Sequence, residues 1–83
     1  MNYLYILKSI KDGNHYVGIT SNLSERLKYH NSGRVRSTKD RVPFVMIYNE
    51  EYHSMKEARV REKYLKSYKG CVEKERIISS LVK

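Results

Sequence analysis

One cysteine, one proline and nine acidic residues in a chain of 83 are the scarcities that bound this sequence. The lone thiol, Cys71, has no partner for an internal disulfide, so packing alone must hold the fold, as in a reducing compartment. That predicts a cytoplasmic protein. No apolar run approaches the roughly 18 residues of a membrane span. The N-terminus has no apolar segment ending in a small-residue cleavage site, so neither membrane insertion nor secretion is expected. Also missing are a Gly-rich phosphate loop ending in Gly-Lys-Ser/Thr and a His-Glu-x-x-His pair, which sets aside nucleotide hydrolysis and zinc proteolysis. One Cys and three dispersed His fall short of a tetrahedral zinc site. A single carboxylate is enough for a hard ion, Mg2+ or Mn2+, that keeps its waters and completes its shell with substrate phosphate.

What is abundant is positive charge. Seventeen Lys and Arg give a net +8 and a pI near 9.7, favouring a polyanionic partner, with nucleic acid first. At 40% hydrophobic and 31% charged residues the chain is polar yet outside the disordered range. Its length allows one core and one domain over residues 1–83.

Asn2 to Lys8 reads as a strand apolar on both faces, hence central. Asp12-Gly13 supplies the dihedrals of a tight hairpin turn into a second strand, His15 to Thr20, paired antiparallel to the first. Asn22, with Glu25 three residues on, starts a helix that Gly33 ends through a left-handed backbone. Arg34 to Val42 then reads as an exposed basic loop without hydrophobic period. Pro43 opens a third strand, Phe44 to Tyr48. Ser54-Met55-Lys56-Glu57 caps a second helix, expected to run to Lys66 or Tyr68 and to be stopped by Gly70. Ile77, Ile78, Leu81 and Val82 place a short terminal helix within Val72 to Lys83. The order predicts an α/β (α+β) sandwich, β-β-α-β-α, built on a small sheet and closed by the C-terminal helix.

Half of the net charge lies in residues 21–49, which hold six Lys and Arg against two acids. Arg34, Arg36, Lys39 and Arg41 crowd eight of these positions with a single acid, Asp40, as a phosphate-contacting loop does; a loop kept soluble by charge reads the same way.

Polar residues on apolar faces are the other signal. Glu62 shares one side of its helix with Met55, Ala58 and Leu65, so its carboxylate points to the core's edge. It needs a cation there, either Arg26, a metal, or the ordinary salt bridge of a stripe-boundary glutamate. Arg26 and His30, four apart, flank the inward stripe of Leu23 and Leu27; a core histidine and a surface arginine fit the same spacing. Tyr5 and Tyr16 lie on neighbouring strands of one hairpin, where tyrosine commonly serves packing.

Taken together, Tyr3-Leu4-Tyr5-Ile6-Leu7, Tyr16-Val17-Gly18-Ile19-Thr20, Arg26-x-x-x-His30-Asn31 and Glu62 resemble the GIY-YIG nuclease family over nearly the whole chain. The resemblance implies a β-β-α-β-α fold around a three-stranded antiparallel sheet. It makes Tyr5 and Tyr16 the paired catalytic tyrosines, Gly18 the glycine closing the second motif, Arg26 the helix-one arginine and Glu62 the metal-binding glutamate. His30 matches a histidine found in some branches. Tyr3 stands where the family name has glycine, and the asparagine that some relatives carry beyond the glutamate has no counterpart in Lys66-Ser67-Tyr68-Lys69-Gly70.

The function implied is Mg2+- or Mn2+-dependent hydrolysis of phosphodiester bonds in DNA, in repair, recombination or processing. Glu62 would anchor the ion, Arg26 neutralise phosphate charge, and Tyr5 deprotonate water with relay to His30 while Tyr16 orients it. The competing readings are a non-catalytic DNA- or RNA-binding protein on the same scaffold and an interaction module of a larger repair complex.

Overall fold

A computed structural model describes residues 1–81 as strands β1 (Asn2–Ser9) and β2 (His15–Thr20), helix α1 (Leu23–Asn31), strand β3 (Phe44–Tyr52), and helices α2 (Met55–Lys66) and α3 (Tyr68–Leu81). Val82 and Lys83, which the expected terminal helix includes, lie outside the described residues. The sheet runs β2-β1-β3 with both pairs antiparallel, so β1 is central, as its two-faced hydrophobicity predicts. Leu4, Tyr5, Ile6 and Leu7 are all fully buried. Leu4 and Ile6 pack with Val17, Leu65 and Ile77 beneath α2 and α3. Tyr5 and Leu7 point the other way, to Phe44 and to Leu23 and Leu27 of α1. The sheet thus lies between helices on both faces, and the two tyrosine-bearing strands turn one row of side chains toward α1.

Local signals account for the β1–β2 turn and for α1. Gly13 takes φ +74° in the turn, where the Asn14 amide donates to Asp12 Oδ1 at 2.8 Å. Asn22 Oδ1 accepts from the Glu25 amide at 3.1 Å and so caps α1. Gly33, at φ +79°, closes the other end.

Three boundaries differ from expectation. Strand β3 continues four residues past Tyr48, because Asn49, Glu50 and Glu51 are polar without being loop. Glu50 accepts from Tyr48 and Tyr52 hydroxyls at 2.6 Å each and from Arg61 Nε and Nη2 at 3.0 and 3.1 Å. Burial raises the pKa of Glu50, but these hydrogen bonds outweigh it and the carboxyl titrates below its ordinary range. The second difference is Gly70, which does not stop α2. The chain breaks at Ser67, whose backbone turns extended at ψ 165°, and Gly70 sits buried in α3, which begins at Tyr68 rather than Val72. Gly70 is needed for packing, since a Cβ there would lie 1.6 Å from the Tyr64 carbonyl oxygen and 2.9 Å from Leu65 Cα. Gly70→Ala should therefore force α3 off α2 and cost about 3 kcal/mol, at the upper end of overpacking penalties, measurable by urea unfolding.

The third difference concerns Arg34 to Val42. That segment is not uniformly exposed: Thr38 is fully buried, and Lys39–Arg41 form a single 3₁₀ turn. Its C-terminal end is fastened to the β1–β2 turn. Ser9 Oγ donates to the Arg41 carbonyl at 2.6 Å, Lys11 Nζ to the Asp40 carbonyl at 3.0 Å, and Arg41 Nε pairs with Asp12 at 2.9 Å.

Candidate active site

The site grows from the register of the hairpin. Tyr5 faces Gly18 and Leu7 faces Tyr16, so the two tyrosines are diagonal neighbours on one face rather than opposite each other. Their ring centroids are 6.3 Å apart. The bare Gly18 Cα makes room for the Tyr5 ring: a Cβ there would meet Tyr5 Oη at 2.5 Å and Cζ at 2.7 Å.

Helix α1 then brings a guanidinium and an imidazole against the same phenol. Arg26 and His30 are one turn apart, and both reach the Tyr5 hydroxyl: Arg26 Nε donates to it at 3.2 Å, and His30 Nε2 lies 2.9 Å from it. The buried imidazole packs edge-on between Tyr5 (5.9 Å), Tyr16 (5.0 Å) and Phe44 (5.9 Å). Its Nδ1 is 2.9 Å from Thr38 Oγ1, and Thr38 Oγ1 is 3.5 Å from the Val35 carbonyl. Guanidinium can only donate, so Tyr5 accepts from Arg26 and is free to donate its own proton to His30 Nε2. Nδ1 then carries the imidazole proton and donates it to Thr38, whose hydroxyl turns to Val35.

Electrostatics agree with that resting arrangement. Burial pushes the Tyr5 phenol above its ordinary pKa; the hydrogen bond and charge of Arg26 pull it back in part, and the Tyr16 and Glu62 charges push it further up. Burial, seconded by the Arg26 charge, drives His30 down to about 4. His30 is therefore neutral at pH 7. The consequence for stability has a definite sign. Above the unfolded histidine pKa of about 6.5 both states are neutral; between that value and about 4 only the unfolded chain takes up the proton, so stability falls with pH. The unfolding free-energy gap between wild type and His30→Gln should narrow by about 2 kcal/mol between about pH 7 and about pH 4.5, and parallel chemical denaturation at the two pH values reads it.

Glu62 sits on the face of α2 that the periodicity assigns, with a side chain 17% exposed, and its partner is Lys66 Nζ at 3.1 Å rather than Arg26. The Lys66 ammonium also lies 5.5 Å from the centroid of the Tyr16 ring, which places it beside the phenols. A cation thus already occupies the mouth of the Glu62 carboxylate. Among the described residues no three His, Cys, Asp or Glu side chains gather into a cage. The donor set fits an ion held by one carboxylate, with water and substrate oxygens completing its shell.

Of the basic loop residues, Arg34, Arg36 and Lys39 are exposed. Arg41, paired with Asp12 and lying 5.4 Å over the Phe44 ring, is tied into the fold. An open groove of about 390 Å³ runs beside Arg26, lined by Thr20, Ser21, Asn22, Glu25 and Tyr29. A larger groove, about 560 Å³, lies between Tyr52 and Tyr64 and shares none of the site residues. Two participants were not legible as such. Thr38 sits in a segment that reads as loop, eight residues from the histidine it touches, and nothing local marks it. Lys66 carries a signal, the Glu-to-Lys spacing of one helical turn, which says only that the two pair.

An α+β domain with two phenols, a guanidinium and an imidazole converging beside one carboxylate is the class to which the comparisons point. A family model described as the GIY-YIG catalytic domain matches residues 1–75, and the chain belongs to this nuclease family. It is similar to a UPF0213 protein of Clostridium perfringens, 45% identical over 67 residues covering 80% of this chain and 71% of that one. A UPF0213 protein of Staphylococcus haemolyticus is 40% identical over 68 residues, covering 81% and 82%. The solution NMR structure of a UPF0213 protein from Bacillus halodurans is 36% identical with a TM-score of 0.54, covering 95% of this chain and 84% of that chain. Family and fold class stand as the sequence led one to expect. Among the described residues no helix is long and apolar enough to cross a membrane.

Proposed function

We propose that the protein is a divalent-metal-dependent endonuclease that hydrolyses phosphodiester bonds in DNA, acting in repair, recombination or processing. The observation that carries this reading is the Tyr5 hydroxyl held at 3.2 Å by Arg26 and at 2.9 Å by His30, within the electrostatic reach of Glu62. Glu62 is the residue that would hold Mg2+ or Mn2+. Bound there, such an ion supplies Lewis-acid polarisation of the phosphate and offsets charge on the departing oxygen.

The chain's own groups do the rest. Tyr5 rests as a phenol; once its own proton has passed to bulk water, the phenolate takes one from the attacking water. Arg26 keeps one N–H on the Tyr5 oxygen and its charge beside it, countering the desolvation that otherwise disfavours phenolate. Its remaining guanidinium donors serve the phosphate. With a pKa near 4, His30 orients the Tyr5 hydroxyl and does not store its proton. Tyr16 borders the same space from the edge strand. Arg34, Arg36 and Lys39, which make no ion pair among the described residues, supply charge for the DNA backbone, whereas the charge of Arg41 is spent on Asp12.

Thr38 acts through His30. Its hydroxyl both accepts and donates, so it satisfies either imidazole tautomer: Nε2 accepting from the phenol, or Nε2–H donating to the phenolate. Thr38→Val should lower turnover about tenfold, in line with losses from removing groups that orient a histidine. Thr38→Ser should restore it, whereas a merely space-filling role would favour Val over Ser.

Incubation of end-labelled duplex, branched and single-stranded DNA with Mg2+ or Mn2+ tests the proposal, with EDTA and an identically purified Tyr5→Phe sample as controls. Metal-dependent cleavage by wild type alone is expected. If neither protein cleaves but both bind DNA with an affinity that falls steeply with salt, the protein is a binder and the nuclease reading fails.

A further inference from the structure

Lys66 belongs to the site and has no part in the scheme above. Its position is unusual for a surface lysine in that one ammonium serves two site residues: Glu62 Oε2 at 3.1 Å and the Tyr16 ring at 5.5 Å. Lys66 is half-exposed, with 48% of its side chain accessible, so it is free to leave, whereas Glu62 at 17% is held in place. A divalent ion arriving at Glu62 meets a carboxylate whose Oε2 already holds an ammonium, and two cations on one carboxylate repel each other. The lysine must swing aside, and its four-carbon stem lets it do so while staying beside Tyr16.

We propose that Lys66 is a displaceable counter-ion: it neutralises Glu62 while no metal is bound, and when released it becomes a phosphate contact for the bound DNA. The inference rests on the metal role given to Glu62 and adds an exchange. Without metal, Lys66 spends its charge inside the protein and contributes nothing to DNA binding. With metal, the same charge faces the substrate, so ion and nucleic acid each favour the other's binding.

Two measurements on the full chain test this. The first is Mn2+ binding followed by the loss of the free-ion electron paramagnetic resonance signal, for wild type, Lys66→Met and Glu62→Gln. Lys66→Met keeps the stem and removes the competitor, so Mn2+ should bind several-fold more tightly, while Glu62→Gln should bind it at least tenfold more weakly. Equal or weaker binding by Lys66→Met, with Glu62→Gln still defective, overturns the counter-ion role and leaves the nuclease reading standing. Unchanged binding by Glu62→Gln removes the metal site itself and with it both ideas.

The second is the slope of log affinity against log salt for duplex DNA, measured with and without Mn2+ in a Tyr5→Phe background that blocks turnover. The slope should be shallower by about 1 for the Lys66→Met variant when Mn2+ is present, the loss of one phosphate contact. It should be the same for both proteins when Mn2+ is absent. Equal slopes in both conditions overturn the transfer of Lys66 to phosphate.

Discussion

Tyr5→Phe is expected to leave the domain folded and its DNA affinity unchanged while turnover falls by about 10³, within the range that a positioned acid–base group supplies. The ring stays, so the packing against Leu7 and Phe44 is kept. What disappears is one oxygen that accepts from Arg26 and bonds His30. Stability should drop by about 1–2 kcal/mol, because His30 Nε2 is left buried with no partner and Arg26 loses one acceptor. The DNA affinity proposed for the loop cations should not respond.

The pH dependence of wild-type turnover separates a base from a bystander. Since burial raises the Tyr5 pKa before Arg26 lowers it, the phenolate fraction grows throughout the neutral and alkaline range, and rate should climb with pH there. The residual rate of Tyr5→Phe should lack that climb. Retained turnover in Tyr5→Phe, or an unchanged pH profile, would take Tyr5 out of the chemistry and shift attention to Tyr16.

The parts of this molecule that were legible in the sequence are those fixed by near neighbours. Cap residues Asn22 and Ser54 and the Asp12-Gly13 turn act within three or four residues, and each sits in the role its chemistry predicts. The amphipathic stripe of α2 put Glu62 on the right face for the same reason. What could not be read depends on contacts beyond that range. Gly70 looks like a helix stop until Tyr64 of the preceding helix is seen against it. Glu50 looks like loop beyond a strand ending at Tyr48 until Arg61, eleven residues on, closes over it with two hydrogen bonds. Arg41 counts as free positive charge until Asp12, from the other side of the sheet's turn, pairs with it. Thr38 is the strongest case, since its burial depends on a histidine whose own position depends on Tyr5.

Gly18→Ala should be nearly as damaging as Tyr5→Phe, although the residue has no side chain with which to act. The added methyl would stand 2.5 Å from Tyr5 Oη, 2.7 Å from Cζ and 3.0 Å from Tyr16 Cε2. Neither tyrosine gives way freely. Tyr5 is fully buried and fixed at its tip by Arg26 and His30, and β2 is pinned to β1 by the ladder from Tyr3–Thr20 to Lys8–His15. Either Tyr5 rotates and loses both hydrogen bonds, or β2 lifts and the two phenols separate. Both outcomes cost about 2–3 kcal/mol as an overpacking change and should reduce turnover by about 10², the scale of a displaced reacting group. Thermal unfolding gives the first quantity and cleavage assays the second. The decisive comparison is the double variant: once Tyr5→Phe has removed the hydroxyl, adding Gly18→Ala should change stability again but leave the residual turnover where it was. A further fall in turnover would mean that Gly18 affects the site by a route other than the placement of Tyr5, with Tyr16 the nearest group to examine.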